Sequence, residues 1–234
     1  MKYDLTQARK CIETLDKRRF DRALLGSGDA FRHIVSLVPL LLHLNHPALP
    51  GYVEDAPAGI ADFILSNYQQ NFLSKEHPEL VEDVQSAVNS DAVFSPILGI
   101  YVMGSFGSIS QTSASDLDIW ICHQDDLSEQ DQQHLAEKTK KISQWASTYH
   151  VEMHFYLMTQ KRFRNERYSD PLTKENSGSA QYMLLLEEFY RSAVRLSGKP
   201  LLWLHFWVED EKQYEAEVAR LVMEGELNPN DWVD

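Results

Sequence analysis

Apolar positions in the first part of the chain recur at helical spacing. Leu5, Ala8, Ile12, Leu15 and Phe20 fall along residues 4–24 with lysines and arginines between them, which predicts an amphipathic helix ending at Gly26-Ser27-Gly28. A second helix, 29–44, is so rich in apolar residues that it belongs inside the protein, and Pro39 should kink or restart it. Residues 46–59 hold Pro47, Pro50, Gly51, Pro57 and Gly59 and read as a loop folded over the core. Helical stretches are expected at 60–73 and 78–89, the latter with Pro78 at its start and Glu79 and Glu82 in its first turns.

The period then changes. Residues 97–103 and 117–123 are short and apolar and read as strands. Leu135, Ile142, Trp145 and Ala146 space a helix over 128–150, with Ser128 as cap and Asp131 three residues on. Residues 151–158 alternate as a third strand with Glu152, His154 and Tyr156 on one face. A charged segment, 161–167, and a loop with Pro171 and Gly178 lead to an amphipathic helix over 179–196. Residues 199–208 read as a strand or buried turn, 209–224 as an acidic helix, and the tail NPNDWVD as a connection. This order predicts an α+β fold, a small mixed β-sheet flanked by helices with helical N- and C-terminal extensions. Residues 1–95 form a helical region packing on a core of 96–234, the two making one compact unit.

Composition narrows the class. At 43% hydrophobic and 11% aromatic residues, the 234-residue chain is globular and long enough for one good core. A formal charge of −13 argues against nucleic acid or an anionic membrane as the main partner. It leaves room for an anionic small substrate, because a bound metal inverts the sign of a local site. The apolar run 34–44 is too short to span a bilayer, so no membrane span is expected. Two distant cysteines, Cys11 and Cys122, and no recognisable leader point to a reducing cytoplasm.

The chemistry is concentrated in YVMGSFGSISQTSASDLDIWIC, residues 101–122. Alternation along a strand sends Asp116 and Asp118 to one face and Leu117 and Ile119 to the other. Glu152 adds a third carboxylate from another strand. Hard cations such as Mg²⁺ take oxygen ligands, and two ions roughly 3.5–4 Å apart can share such a trio in phosphoryl displacement. Gly104 lets backbone approach a phosphate, Ser105 adds a hydroxyl donor, and Gly107, Ser108, Ser110, Ser113 and Ser115 keep the loop small and polar. An Asp-x-Asp or a Gly-Ser alone is common; the ordered combination carries the signal.

Met103-Gly104-Ser105, Asp116-Leu117-Asp118 and Val151-Glu152-Met153 resemble, in order, the pattern of the nucleotidyltransferase superfamily that includes DNA polymerase beta. The resemblance implies a nucleotidyltransferase-type sheet in which Asp116 and Asp118 bind two ions, Mg²⁺ or Mn²⁺, Glu152 helps to hold the catalytic one, and Ser105 grips terminal phosphates. Longer runs are similar to the amino-terminal catalytic region of class I adenylate cyclases of enteric-type gamma-proteobacteria: DRALL at 21–25, HPALPGY at 46–52, SDLDIWICHQ at 115–124, LLLEEFYRSAVRLSGK at 184–199 and NPNDWVD at 228–234. Residues 53–96 match least. The resemblance implies ATP as substrate, cyclic AMP and pyrophosphate as products, catalytic Asp116, Asp118 and Glu152, and substrate binding at Gly104, Ser105 and Ser115. It also implies a longer protein, with a carboxy-terminal regulatory region and a sugar-phosphotransferase component as partner, so that Asp234 is a truncation point.

Other readings stay open. The same carboxylates would serve transfer of AMP to an acceptor hydroxyl, and an ATP-binding module without turnover is a third possibility. His154 reads as a core or supporting histidine, because hard Mg²⁺ seldom recruits imidazole. His123 is expected in a loop. Arg191 and Arg195, four apart on a helix, and Lys199 either reach the triphosphate or pair with Glu187 and Glu188. The basic cluster Lys17, Arg18, Arg19 and Arg22 reads as a solvated face, and Trp203 and Trp207 as core.

Overall fold

Seven consecutive buried residues, ILGIYVM, make strand β1, Ile97–Met103, the middle of the protein. In the computed structural model, which describes residues 4–82, 84, 95–112, 115–159 and 187–234, β1 is flanked on both edges by antiparallel partners. One is β2, Leu117–His123; the other is β4, Val194–Gly198. Strand β3, Met153–Thr159, adds to β2 in parallel, giving the order β3-β2-β1-β4. The parallel pair needs a crossover, supplied by the helix between its strands.

Both faces of this mixed sheet are covered. Ile97, Ile100, Val102, Leu117, Ile119 and Ile121 point into the larger core, where they meet helix α1 (Leu5–Leu25), α2 (Asp29–His43), α3 (Asn67–Glu76) and the crossover helix α4 (Glu129–Ser147). Leu98, Tyr101, Met103, Trp120 and Cys122 point the other way, onto Phe189, Leu201 and Val233. Helix α5, Glu211–Met223, lies beyond in a smaller cluster with Leu202 and Trp232. The class is α+β, a small mixed sheet flanked by helices, as the hydrophobic pattern predicts. No helix among the described residues is long and apolar enough to cross a membrane.

Several local expectations are corrected. Helix α2 runs through Pro39 without restarting. A mid-helix proline costs about 3 kcal/mol or more, and here the flanking residues Phe31 to Leu42 are mostly buried, so packing outweighs the lost hydrogen bond. Residues 60–66 are not helical: Ile60 bridges to Ile97, Asp62 has φ 51°, and the helix begins only after Ser66. Ser66 and Gln69 form a reciprocal capping box, and the buried Gln69 amide also donates to the Ser36 carbonyl at 2.8 Å. From Pro78 the chain makes a 3₁₀ turn to Leu80 before Val81 and Glu82 turn helical.

The largest correction falls on the helix expected over 179–196. Its described part is helical only over 187–192, and Val194–Gly198 is strand β4. The open edge of β1 takes up those residues, so pairing overrides the local helical pattern. Residues 199–208 form a turn with a 3₁₀ segment, Trp203–His205; Trp203 is half-buried against Tyr190, but Trp207 is exposed rather than in the core. The tail is docked: Val233 is buried and pairs with Leu201. Residues 85–89 of the second predicted stretch, the segment 161–167, the loop with Pro171 and Gly178, residues 179–186 and Ser113 lie outside the described residues.

Helix α4 carries a buried lysine. Lys138 donates to the carbonyl of Leu44 and to Asn45 Oδ1, and burial pushes its ammonium down to about 7. The folded protein therefore holds this proton more weakly than the unfolded chain, whose lysine titrates near about 10.4. Stability should rise with pH from about 7 towards the unfolded value, since over that window the unfolded state binds more protons. Urea unfolding at neutral pH and near pH 9 should show the rise, and Lys138→Met should remove most of it.

Candidate active site

Strand β1 ends at a turn that only certain backbones can make. Gly104 has φ 79°, the left-handed region that favours glycine. Its N–H donates to Ser192 Oγ at 2.9 Å, so this amide is spent on the protein instead of being open to a phosphate. Ser105 begins the next turn, its carbonyl accepting from the Ser108 N–H at 2.9 Å. Farther along, the Gln111 amide accepts from the Gly107 N–H at 2.7 Å and donates to Ser27 Oγ at 2.9 Å. Ser115 Oγ accepts from the Thr112 N–H at 2.9 Å, which uses part of that hydroxyl to close the approach to β2.

Pairing then sets the carboxylates. In the parallel ladder Leu117 lies opposite Met153 and Asp118 opposite His154. Glu152, immediately before β3, accepts the Leu117 N–H on its carbonyl at 3.0 Å. Asp116, Asp118, His154 and Tyr156 thus come together where β2 and β3 begin, while Glu152 faces His154. Asp116 is exposed and Asp118 half-buried, with Tyr156 Oη donating to Asp118 Oδ1 at 3.2 Å. Glu152 is exposed, and its Oε1 lies 3.2 Å from His154 Nε2. His154 here supports a carboxylate.

One acidic group was not among the expected site residues. A Cβ placed on Gly104 would lie 3.5 Å from Glu188 Oε1 and 4.0 Å from Asp118 Oδ2, so these two carboxylates flank the turn. Glu188 comes from the segment 187–192, far from the Asp pair in sequence; it is exposed, and only its place in the 184–199 run that carries the family resemblance could have marked it. Burial raises the pKa of Asp118, and repulsion from Asp116 and Glu188 raises it further, against the lowering effects of Tyr156 and His154. Tyr156 is pushed up by burial and by Asp118.

Among the described residues no three histidine, cysteine or acidic side chains close on one point tightly enough to hold a metal as they stand. The chemistry of the donors nevertheless fits a hard divalent cation. They are carboxylate oxygens, and burial first and then repulsion from Asp116 and Glu188 raise the pKa of Asp118, a penalty a bound cation would relieve.

The candidate cations fall elsewhere. Arg195 belongs to β4, so it does not share a helix face with Arg191; its N–H donates to Asp16 Oδ2 at 3.3 Å and its guanidinium reaches Gly198 and Glu13. Arg191 pairs with Glu187 at 3.5 Å on the surface. Lys199 contributes backbone, its carbonyl accepting from Tyr101 Oη at 2.6 Å. His123 is the buried last residue of β2 rather than a loop residue. Arg19 is no solvated charge: it donates to the carbonyls of Ser192 and Phe106 at 2.7 and 2.9 Å.

An open mixed sheet with a glycine-serine turn leaving its central strand and an aspartate pair starting the next defines an α+β fold with an acidic cluster at one end of the sheet. The family described as adenylate cyclase NT domain matches residues 4–204. The chain belongs to that family. It is 64% identical over 239 residues to an adenylate cyclase of Haemophilus influenzae, a match covering 100% of this chain and 28% of that protein. With the adenylate cyclase of Escherichia coli K12 it shares 39% identity over 224 residues, 95% of this chain and 26% of the relative. The chain therefore spans little more than a quarter of the relatives it matches. Among solved structures, a toxin-antitoxin with AMP-PNP covers 67% of this chain and 86% of its own at 15% identity, with a TM-score of 0.26, a likeness too slight to argue from.

Proposed function

We propose that this chain is the catalytic portion of an adenylate cyclase, converting ATP to 3′,5′-cyclic AMP and pyrophosphate. The observation that carries the reading is Asp118: half-buried, held by Tyr156, crowded by Asp116 and Glu188, and placed beside the Gly104 turn. Membership of the adenylate cyclase NT domain family supplies the reaction class.

Asp116 and Asp118 would hold two divalent ions, Mg²⁺ or Mn²⁺, with Glu152 turning from His154 to join them. When bound, such ions lower the pKa of a hydroxyl and neutralise charge on a leaving pyrophosphate. The protein's own groups do the rest. Gly104 and Ser105 shape the cradle for the triphosphate, with the Ser105 hydroxyl as donor, and Ser115 steadies the loop on the far side. Tyr156 fixes the orientation of Asp118. The ribose 3′ oxygen attacks the α-phosphorus, the bond to the bridging oxygen of the β-phosphate breaks, and the hydroxyl proton passes to an acidic side chain of the site. The regulatory region and a sugar-phosphotransferase partner belong to the longer protein in this reading.

Incubation with labelled ATP and Mg²⁺ or Mn²⁺, followed by product separation, tests it. Cyclic AMP with an equal yield of pyrophosphate is expected. AMP attached to an acceptor would replace the cyclase reading with a transferase, and nucleotide bound without product, by this chain and by a full-length protein alike, would leave a binding module.

A further inference from the structure

Helix α1 is remote in sequence from the glycine-serine turn, yet one side chain on it ties together both elements that shape the turn. Arg19 Nη2 donates to the carbonyl of Phe106, the residue immediately after Gly104-Ser105, at 2.9 Å. Its Nη1 donates to the carbonyl of Ser192 at 2.7 Å. The Ser192 hydroxyl in turn accepts from the Gly104 N–H at 2.9 Å and donates to the Glu188 carbonyl at 2.7 Å. Arg19 thus holds the loop after β1 from one side and, through Ser192, the amide that starts it from the other.

The chemistry of each group suits this task. A guanidinium is planar, permanently charged and carries its donors on separate nitrogens, so its rigid fork can hold two carbonyls in a fixed relative orientation. A hydroxyl can accept and donate together, so Ser192 joins the turn to the chain of Glu188 without leaving either partner unmet. The end of α1 adds a second anchor, because Gln111 holds the Gly107 N–H while donating to Ser27. Phe106 itself is buried beside Phe20 of α1 and Phe31 of α2.

We propose that Arg19 and Ser192 are positioning residues that set the Gly104-Ser105 turn for the phosphates of the nucleotide, which makes helix α1 part of the active site. The inference rests on the nucleotide-binding reading above and adds to it a specific pair that the sequence motif omits. Neither residue touches substrate; each acts through the backbone of the turn.

The test uses this chain with Ser192→Ala, Ser192→Thr, Arg19→Ala and Arg19→Lys. Amide hydrogen exchange reads the turn directly, Mn²⁺ binding alone reads the carboxylates, and Mg²⁺-ATP binding reads the assembled site. Ser192→Ala should lower protection of the Gly104 amide and weaken Mg²⁺-ATP binding, each about tenfold, the usual scale for one hydrogen bond. Its Mn²⁺ affinity should stay within about twofold of the parent, because the acidic side chains are untouched. Ser192→Thr, which restores the hydroxyl, should recover both properties. Arg19→Lys should fall between the parent and Arg19→Ala. Parent-like Gly104 exchange and Mg²⁺-ATP affinity in Ser192→Ala would overturn the proposal, as would equal losses of Mn²⁺ and nucleotide binding, which would mark general loosening. Failure of the parent chain to bind Mg²⁺-ATP at all would instead overturn the functional reading, and the phosphate role with it.

Discussion

Asp118→Asn should cut turnover on the order of 10²–10³-fold or more, the scale at which one preorganised electrostatic partner in a reacting site is lost. The same change should leave the protein as stable as before, or more so. The reason is the direction of the pKa shift. Burial and the neighbouring carboxylates hold Asp118 above its ordinary value, so the folded state keeps this proton to higher pH than the unfolded chain does. Stability from this group is present below the unfolded pKa and is lost as pH rises through the folded one, so the ionised form weighs against folding at neutral pH. Asparagine removes the charge and still offers an oxygen to Tyr156. Thermal unfolding with and without Mn²⁺ gives the check. The parent should be stabilised by the ion through mass action, and the variant should lose that response along with activity. Near-parental turnover in Asp118→Asn would remove the carboxylate from the chemistry.

The largest effect on stability is expected at Trp120, two residues beyond Asp118 and on the same face of β2. Its ring is almost wholly buried, stacked on Phe189 at 4.5 Å and tilted against Tyr156 at 5.3 Å. Trp120→Ala should cost about 3–5 kcal/mol, the lost transfer energy plus that of the cavity left behind. Urea denaturation should show a lowered midpoint with little change in slope. The damage should reach the site as well, because Tyr156 orients Asp118 and Phe189 sits beside Glu188. Trp120→Phe keeps an aromatic surface for Phe189 and should lose less of both stability and turnover. A stable but inactive Trp120→Ala would show that the ring supports chemistry without supporting the fold.

These two residues show why a fold and a site differ in how far they can be read from one chain. Strand β1, and β2 apart from His123 at its end, were legible almost to the residue, since short mainly apolar runs bounded by small or polar residues leave little freedom. Helix α4 and its Ser128 cap were equally plain, because the cap and the apolar stripe agree. The order Gly-Ser, Asp-x-Asp and a third acidic residue is also local, and on it rests the expectation of phosphate and metal chemistry. Strand periodicity alone put Asp116 and Asp118 on one side and Leu117 and Ile119 on the other.

Contacts between distant segments were not legible, and the physical cause is the same at each. A residue such as Val194 or Arg195 has a local helical pattern, but an unpaired edge of β1 offers backbone hydrogen bonds that a short helix end cannot match. Pro39 breaks helices locally, yet it lies in a helix whose packing supplies more than the missing bond costs. Arg19 lies outside every matching run, and Glu188 and Ser192 lie in the 184–199 run with no role assigned to either; only chain folding sets the three against Gly104 and Phe106. By itself the sequence determined which atoms can do chemistry here, since side-chain type and strand period are local properties. The tertiary structure alone decided which distant groups hold and crowd them, because burial, repulsion and hydrogen bonding depend on distance in space.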